Sequence, residues 1–200
     1  MLLPVTNALG LEPPYTQALT AIVLSTICHL LSVLVLYALT LRIFPRTALV
    51  AAILHVLSPA GLFLSAPYSE SLFSLLSFLG TYLYIRGATL ASGAVFCCAT
   101  GVRSNGLFNG SVFLWDFFQA LSRRRWQRVV KIGIAGLLVG VGLVFPQVLA
   151  WRVYCVGTDG EEVRPWCGKA IPSVYFFVQE HYWSLSPLPP PIAFGDVKAN

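Results

Sequence analysis

Charged side chains are scarce in this sequence: Asp, Glu, Lys and Arg make up 10% of its 200 residues, whereas 56% are hydrophobic. Soluble domains carry about 25% charged residues. A chain with so few cannot clothe a globular surface in water, so a soluble globule is excluded and lipid is the expected solvent. Other absences narrow the chemistry. There is no glycine-rich phosphate-cradling loop, no Cys/His spacing of a zinc site and no supportable Ser/His/Asp triad. The first residues, Met1 to Gln17, lack a basic cluster and are interrupted by Glu12, Pro13 and Pro14. They therefore do not read as a cleavable signal peptide.

What is present is a succession of apolar runs. Residues 18–41 carry no formal charge, enough for a helix to cross about 30 Å of hydrocarbon. Further runs occupy 47–66, with a kink expected at Ser58-Pro59, then 71–85, 87–102, 106–122 and 132–151. The pattern predicts an all-α polytopic membrane protein. Its segments would be 1–17 as a lumenal N-terminal stretch, 18–151 as a bundle of about six helices, and 152–200 as a lumenal loop. That loop carries the aromatics Tyr175, Phe176, Phe177, Tyr182 and Trp183 at the membrane boundary, then a Pro-rich tail.

The net charge of +5 does not point to nucleic acid. Arg42, Arg46, Arg86, Arg123, Arg124, Arg125, Arg128 and Lys131 lie between apolar runs rather than along one face, as topology-determining charges do. Placing all of them in the cytosol threads six segments alternately with no forced exception. The non-cytoplasmic side then collects Pro67-Tyr68-Ser69-Glu70, Arg103-Ser104-Asn105-Gly106 and Gln179-Glu180-His181-Tyr182-Trp183.

Ionisable groups at membrane boundaries are costly and are functional or paired. Arg103 is a candidate phosphate clamp, its guanidinium offering paired donors beside Ser104 and Asn105; the alternative is an Arg snorkelling or pairing with Glu70. Glu70 is a candidate general base, or a carboxylate capping or ion-pairing near a helix start. His181, Tyr182, Trp183 and Trp166 are candidates to meet a sugar or a polyprenyl chain, or else serve as interfacial anchors. His29 and His55 read as buried, neutral and hydrogen-bonded, and Asp116 as a carboxylate with a structural partner. Cys28, Cys97 and Cys98 read as small hydrophobes. Cys155 and Cys167 stand in a polar loop, where a disulfide and two free thiols are equally consistent with the sequence.

Three stretches go beyond composition: Ser58-Pro-Ala-Gly-Leu-Phe-Leu-Ser-Ala-Pro-Tyr-Ser-Glu70, Ala99-Thr-Gly-Val-Arg-Ser-Asn-Gly106 and Pro165-Trp-Cys167. Followed by Gln179 and His181-Tyr-Trp183, they resemble the PIG-V-like family of GPI mannosyltransferases in order and rough spacing over residues 18–185. The resemblance implies a GT-C-like multispan helical bundle in the endoplasmic reticulum membrane with a lumenal active site. The implied reaction adds the second mannose, in α-1,6 linkage, to the GPI-anchor precursor, with dolichyl-phosphate mannose as donor and no cofactor or metal. Implied partners are the lipid-linked donor, the GPI precursor, membrane lipids and a small membrane subunit, with no nucleic acid.

By the same resemblance, Tyr68, Ser69, Glu70, Arg103, Ser104 and Asn105 belong to the donor-phosphate or acceptor site. Trp166, His181, Tyr182 and Trp183 belong to the loop facing the acceptor. The family's catalytic carboxylate sits in a Trp-Asp motif of a first lumenal loop, which is expected upstream of this chain, and further spans are expected after residue 185. The chain is thus expected to be an incomplete fragment of such an enzyme. Its only Trp-Asp pair, Trp115-Asp116, falls in a different segment and does not inherit that role. The alternatives are a polytopic transporter, with Arg103 and Glu70 lining the path, and a non-catalytic scaffold fragment. A transporter favours midplane charges in two related halves, whereas these polar motifs gather at one surface.

Overall fold

The structure is a computed structural model, and it describes residues 15–57, 66, 68–156, 164–168 and 173–183. Among the described residues there are helices and no strand. The helices are α1 (Tyr15–Ile43), α2 (Ala48–Leu57), α3 (Glu70–Ile85), α4 (Thr89–Val102), α5 (Ser111–Ser122), α6 (Trp126–Cys155) and α7 (Val174–Trp183). Short 3-10 segments at Pro45–Thr47 and Ser104–Gly110 precede α2 and α5.

Two of these helices, α1 and α6, are long and apolar enough to cross a bilayer. With 29 residues in α1, its length is about 44 Å at 1.5 Å per residue. The apolar run over 106–122 is helical only in its later part. Residues up to Gly110 form a 3-10 turn, and α5 begins at Ser111. Asn105, Gly106, Asn109 and Gly110 explain this, because Asn and Gly favour turns over helix interiors. The Ser58-Pro59 kink expected from the sequence lies outside the described residues.

The chain divides into two compact units, residues 1–143 and 144–200. In the first, α1 and α3 run parallel. Ser25 of α1 meets Ser71 of α3 near one end, and Arg42 reaches the Tyr82 ring near the other. α4 runs antiparallel to α3: the Ser92 hydroxyl donates to the Gly80 carbonyl at 2.7 Å, while Arg103 at its far end pairs with Glu70. A core of Phe96, Phe113, Ala120, Ile132, Ala135 and Val139 joins α4, α5 and the first part of α6. Phe96 and Phe113 meet edge to face with ring centroids 5.6 Å apart. This is a favourable aromatic geometry.

Beside this core, many of the unit's buried residues are small or hydroxyl-bearing, and its outside is apolar. Ser25, Ser32, Ser71, Ser92, Ala48, Ala52, Ala99 and Ala135 are buried, while Leu34 is 55% and Leu137 74% exposed. In water each exposed leucine would forgo about 1.5–3 kcal/mol of burial. In lipid the arrangement is the expected one: apolar side chains meet acyl chains, and small residues let backbones approach. The fold is therefore that of an all-α membrane protein. The closest approach is between α4 and α6. A Cβ on Gly93 would lie 2.8 Å from the Ala135 Cα, and one on Gly142 would collide with the Cys97 carbonyl.

In the second unit, the last turns of α6 carry Pro146, whose missing N–H removes one backbone bond. Gln147 just beyond accepts the Ser173 hydroxyl at 2.9 Å, tying the start of α7 to α6. Cys155 and Cys167 are joined by a disulfide with Cα atoms 5.6 Å apart. Arg164 lies over the Tyr154 ring, its guanidinium carbon 5.3 Å from the centroid.

Gly93→Val is expected to lower the thermal midpoint of the detergent-solubilised protein, costing about 1–3 kcal/mol as overpacking against a rigid backbone. Gly136→Ala should leave the midpoint unchanged or higher, since a Cβ there meets nothing within 4 Å. Mass-tagging of denatured protein should add two further tags after reduction. Cys155→Ser should expose Cys167 to the tag without reductant.

Candidate functional site

Two backbone devices present the Tyr-Ser-Glu and Arg-Ser-Asn blocks. Ser25 donates to the Ala66 carbonyl at 2.6 Å and meets Ser71 Oγ at 2.8 Å. With the single Ser25 proton on the carbonyl, Ser71 is the donor to Ser25. This buried pair pins the chain immediately before Tyr68 onto α1. Pro67 lies outside the described residues. Tyr68 and Ser69 are exposed, and Ser69 precedes α3 without capping it through its side chain. Glu70 is the first residue of α3, where a carboxylate complements the positive helix end.

On the facing side, α4 stops at Arg103, whose backbone is extended (φ −145°, ψ 130°). Its carbonyl accepts the Gly106 N–H at 2.8 Å. The loop can fold back this tightly because residue 106 is glycine: a Cβ there would stand 2.6 Å from the Thr100 backbone. Asn109 Nδ2 then donates to Ser77 Oγ at 3.0 Å, locking the 3-10 segment onto α3. Ser104 is half-buried and Asn105 exposed beside it.

The result is an ion pair, Arg103 Nη1 to Glu70 Oε1, with both side chains a little over one-third exposed. The Arg103 guanidinium carbon also lies 5.9 Å from the centroid of the Phe73 ring, within cation–π range. Nε and Nη2 of Arg103 have no hydrogen-bond partner among the described residues, and the Glu70 Oε2 atom is buried without one. Of the two alternatives the sequence offered for Glu70, the structure contains the ion pair. The same contact engages one of the guanidinium's nitrogens and leaves the other two without a partner among the described residues.

The remaining expectations meet varied outcomes. Trp166 is 3% exposed, so its ring is not presented to a ligand. His181 and Tyr182 are exposed on α7. The His181 ring stacks on Phe177 at 5.2 Å and 9°, one helical turn back. Trp183 ends α7, and its side chain lies outside the described residues. His29 and His55 are half-buried rather than buried, since each sits at the edge of the α1–α2 contact. Their rings lie 5.3 Å apart. His55 Nε2 lies 3.3 Å from Ser32 Oγ, while His29 Nδ1 has no partner among the described residues. Asp116 is buried and accepts both Nε and Nη2 of Arg128 on one oxygen, at 3.3 and 2.8 Å. It has a structural partner at the basic end.

Sequence reasoning missed Ser25, Ser71, Ser77 and Asn109, the residues that hold the charged pair in place. Hydroxyls and one amide inside apolar runs were the signal, and nothing linear says which pair with which.

Comparison with known proteins agrees with this framework. The family model for Mannosyltransferase (PIG-V) matches residues 2–188. GPI mannosyltransferase 2 of Gibberella zeae is 43% identical over 190 residues, covering 84% of this chain and 44% of the relative. The protein of the same name from Yarrowia lipolytica is 42% identical over 170 residues, covering 84% and 46%. GPI alpha-1,6-mannosyltransferase 2 of Cricetulus griseus is 32% identical over 170 residues, covering 70% and 34%. The chain thus spans less than half the length of these relatives, and no solved structure matches it. A family match across nearly the whole chain, on a bundle that brings the two family-like polar blocks into one ion pair, places this chain in the PIG-V mannosyltransferase family.

Proposed function

We propose that this chain forms part of an enzyme that adds the second mannose of the GPI anchor, in α-1,6 linkage, from dolichyl-phosphate mannose at the lumenal side of the endoplasmic reticulum membrane. The names of the relatives support the reaction class. One observation carries the site: Arg103 and Glu70 pair at the end of the first unit opposite Arg42, Arg86 and Arg128. With the basic end in the cytosol, the pair faces the lumen. The disulfide between Cys155 and Cys167 suits an oxidising lumen too. On this reading residues 18–151 are the bundle, and 1–17 and 152–200 are lumenal.

In such a transfer a hydroxyl of the acceptor mannose attacks the donor's anomeric carbon, its proton passes to a carboxylate base, and the bond to the lipid phosphate breaks. The phosphate leaves with added negative charge, and a fixed cation stabilises that charge more than the ground state. Arg103 supplies the cation through Nε and Nη2, while Glu70 and the Phe73 face hold the guanidinium still. Glu70 therefore acts as a positioning residue for Arg103. Tyr68, Ser69, Ser104 and Asn105 contribute hydroxyl and amide contacts around it.

The test is complementation of cells that lack GPI mannosyltransferase 2 with the full-length parent of this chain. The parent should restore GPI-anchored proteins at the surface. Arg103→Ala should reduce transfer by about a hundredfold or more, the scale of losing one charge-stabilising donor. Arg103→Lys should recover only part, because an ammonium lacks the planar fork. Failure of the parent overturns the reaction, and full activity of Arg103→Ala overturns the clamp.

A further inference from the structure

The basic end of the first unit contains a feature that topology alone does not require. Arg42, in the last turn of α1, and Arg86, which caps α3, both direct their guanidinium groups at one ring, that of Tyr82. Their carbons lie 5.6 and 5.8 Å from its centroid. Arg86 Nη1 also donates toward Tyr82 Oη at 3.4 Å. Both arginines are exposed.

A positive-inside signal needs only that each arginine be on the correct side, and a helix C-terminus favours a cation singly. Neither explains why two like charges from two helices gather at one aromatic ring. Their repulsion is not offset within the described residues, where the ion pairs are Arg103–Glu70 and Arg128–Asp116. The cluster offers the donors of two guanidinium forks, and the Tyr82 hydroxyl keeps its own proton to give. It stands where apolar helices end, at headgroup depth for a bundle whose flanks are aliphatic.

We propose that Arg42, Tyr82 and Arg86 form a binding site for the phosphate of an anionic phospholipid headgroup. Two planar forks and a phenol match the several acceptor oxygens of a phosphate, and basic pockets between membrane helices bind such headgroups. The lipid's acyl chains would lie along the exposed apolar faces of α1 and α3, so the site takes a membrane-embedded phosphate rather than one from solution.

The full-length parent protein, purified in phosphatidylcholine nanodiscs doped with phosphatidylinositol, tests this by native mass spectrometry of retained lipid. Arg42→Lys combined with Arg86→Lys keeps both charges, and hence the topology, but loses the planar forks. It should reduce retained phosphatidylinositol on the order of tenfold, with transferase activity in phosphatidylcholine unchanged. Arg123→Lys with Arg124→Lys should retain the lipid as the wild type does. Equal retention by all forms, or equal loss in both pairs, overturns the proposal. So does displacement of the lipid by millimolar inorganic phosphate, which would mark a site for the free ion. If the double variant does not purify, a photoactivatable phosphatidylinositol on the wild type decides. Adducts at the ends of α1 and α3 support the site, and adducts confined to residues 123–131 overturn it.

Discussion

Hydrocarbon offers no hydrogen-bonding solvent, so each polar group at depth must find its partner inside the protein. α3 is where this constraint shapes the molecule. Ser71 meets Ser25 of α1, Ser77 receives Asn109, the Gly80 carbonyl accepts Ser92, and Glu70 holds Arg103. Three neighbours are thereby fixed to one helix in direction and in depth. Apolar packing alone, between side chains no more hydrophobic than the lipid around them, would not set that register. The small residues that permit close approach and the hydroxyls that exploit it are the same stretch of chain.

Charge is distributed along the bundle with a consequence for its chemistry. The end that holds Arg42, Arg86, Arg128 and Lys131 has many cations, and Asp116 is already committed there to Arg128. The opposite end of the first unit holds Arg103 against Glu70. An isolated guanidinium among apolar helices would swing toward the nearest water. Paired with a carboxylate and lying over an aromatic face, it keeps one position and still has nitrogens to offer. On the proposed reading, a cation fixed in advance would stabilise developing negative charge with little reorganisation.

The reach of the sequence is clearest in particular residues. Scarcity of charge and the long runs about α1 and α6 announced a membrane protein, because bilayer thickness and helix rise translate directly into run length. The positions of Arg42, Arg86 and the 123–131 cluster implied a common end, and the polar blocks around Glu70 and Arg103 marked the family. The apolar run over 106–122 does not show where its helix starts, since apolar character alone does not reveal that Gly106 must lie against the Thr100 backbone. For Trp166 the sequence left a ligand contact and an interfacial anchor open, because exposure cannot be read from residue type; it is buried.

By itself, then, the sequence determined the solvent, the helical class, the segregation of basic residues and the identity of the two polar blocks, all of which follow from residue type and linear spacing. Only the tertiary structure decided that Glu70 holds Arg103, that Cys155 bonds Cys167, that Asp116 answers Arg128 and that Arg42 and Arg86 share the Tyr82 ring. Each of these joins residues from different segments. Spacing along a chain leaves helix rotation and depth undetermined, and the close approaches at Gly93, Gly106 and Gly142 that help settle them exist only once the helices have packed.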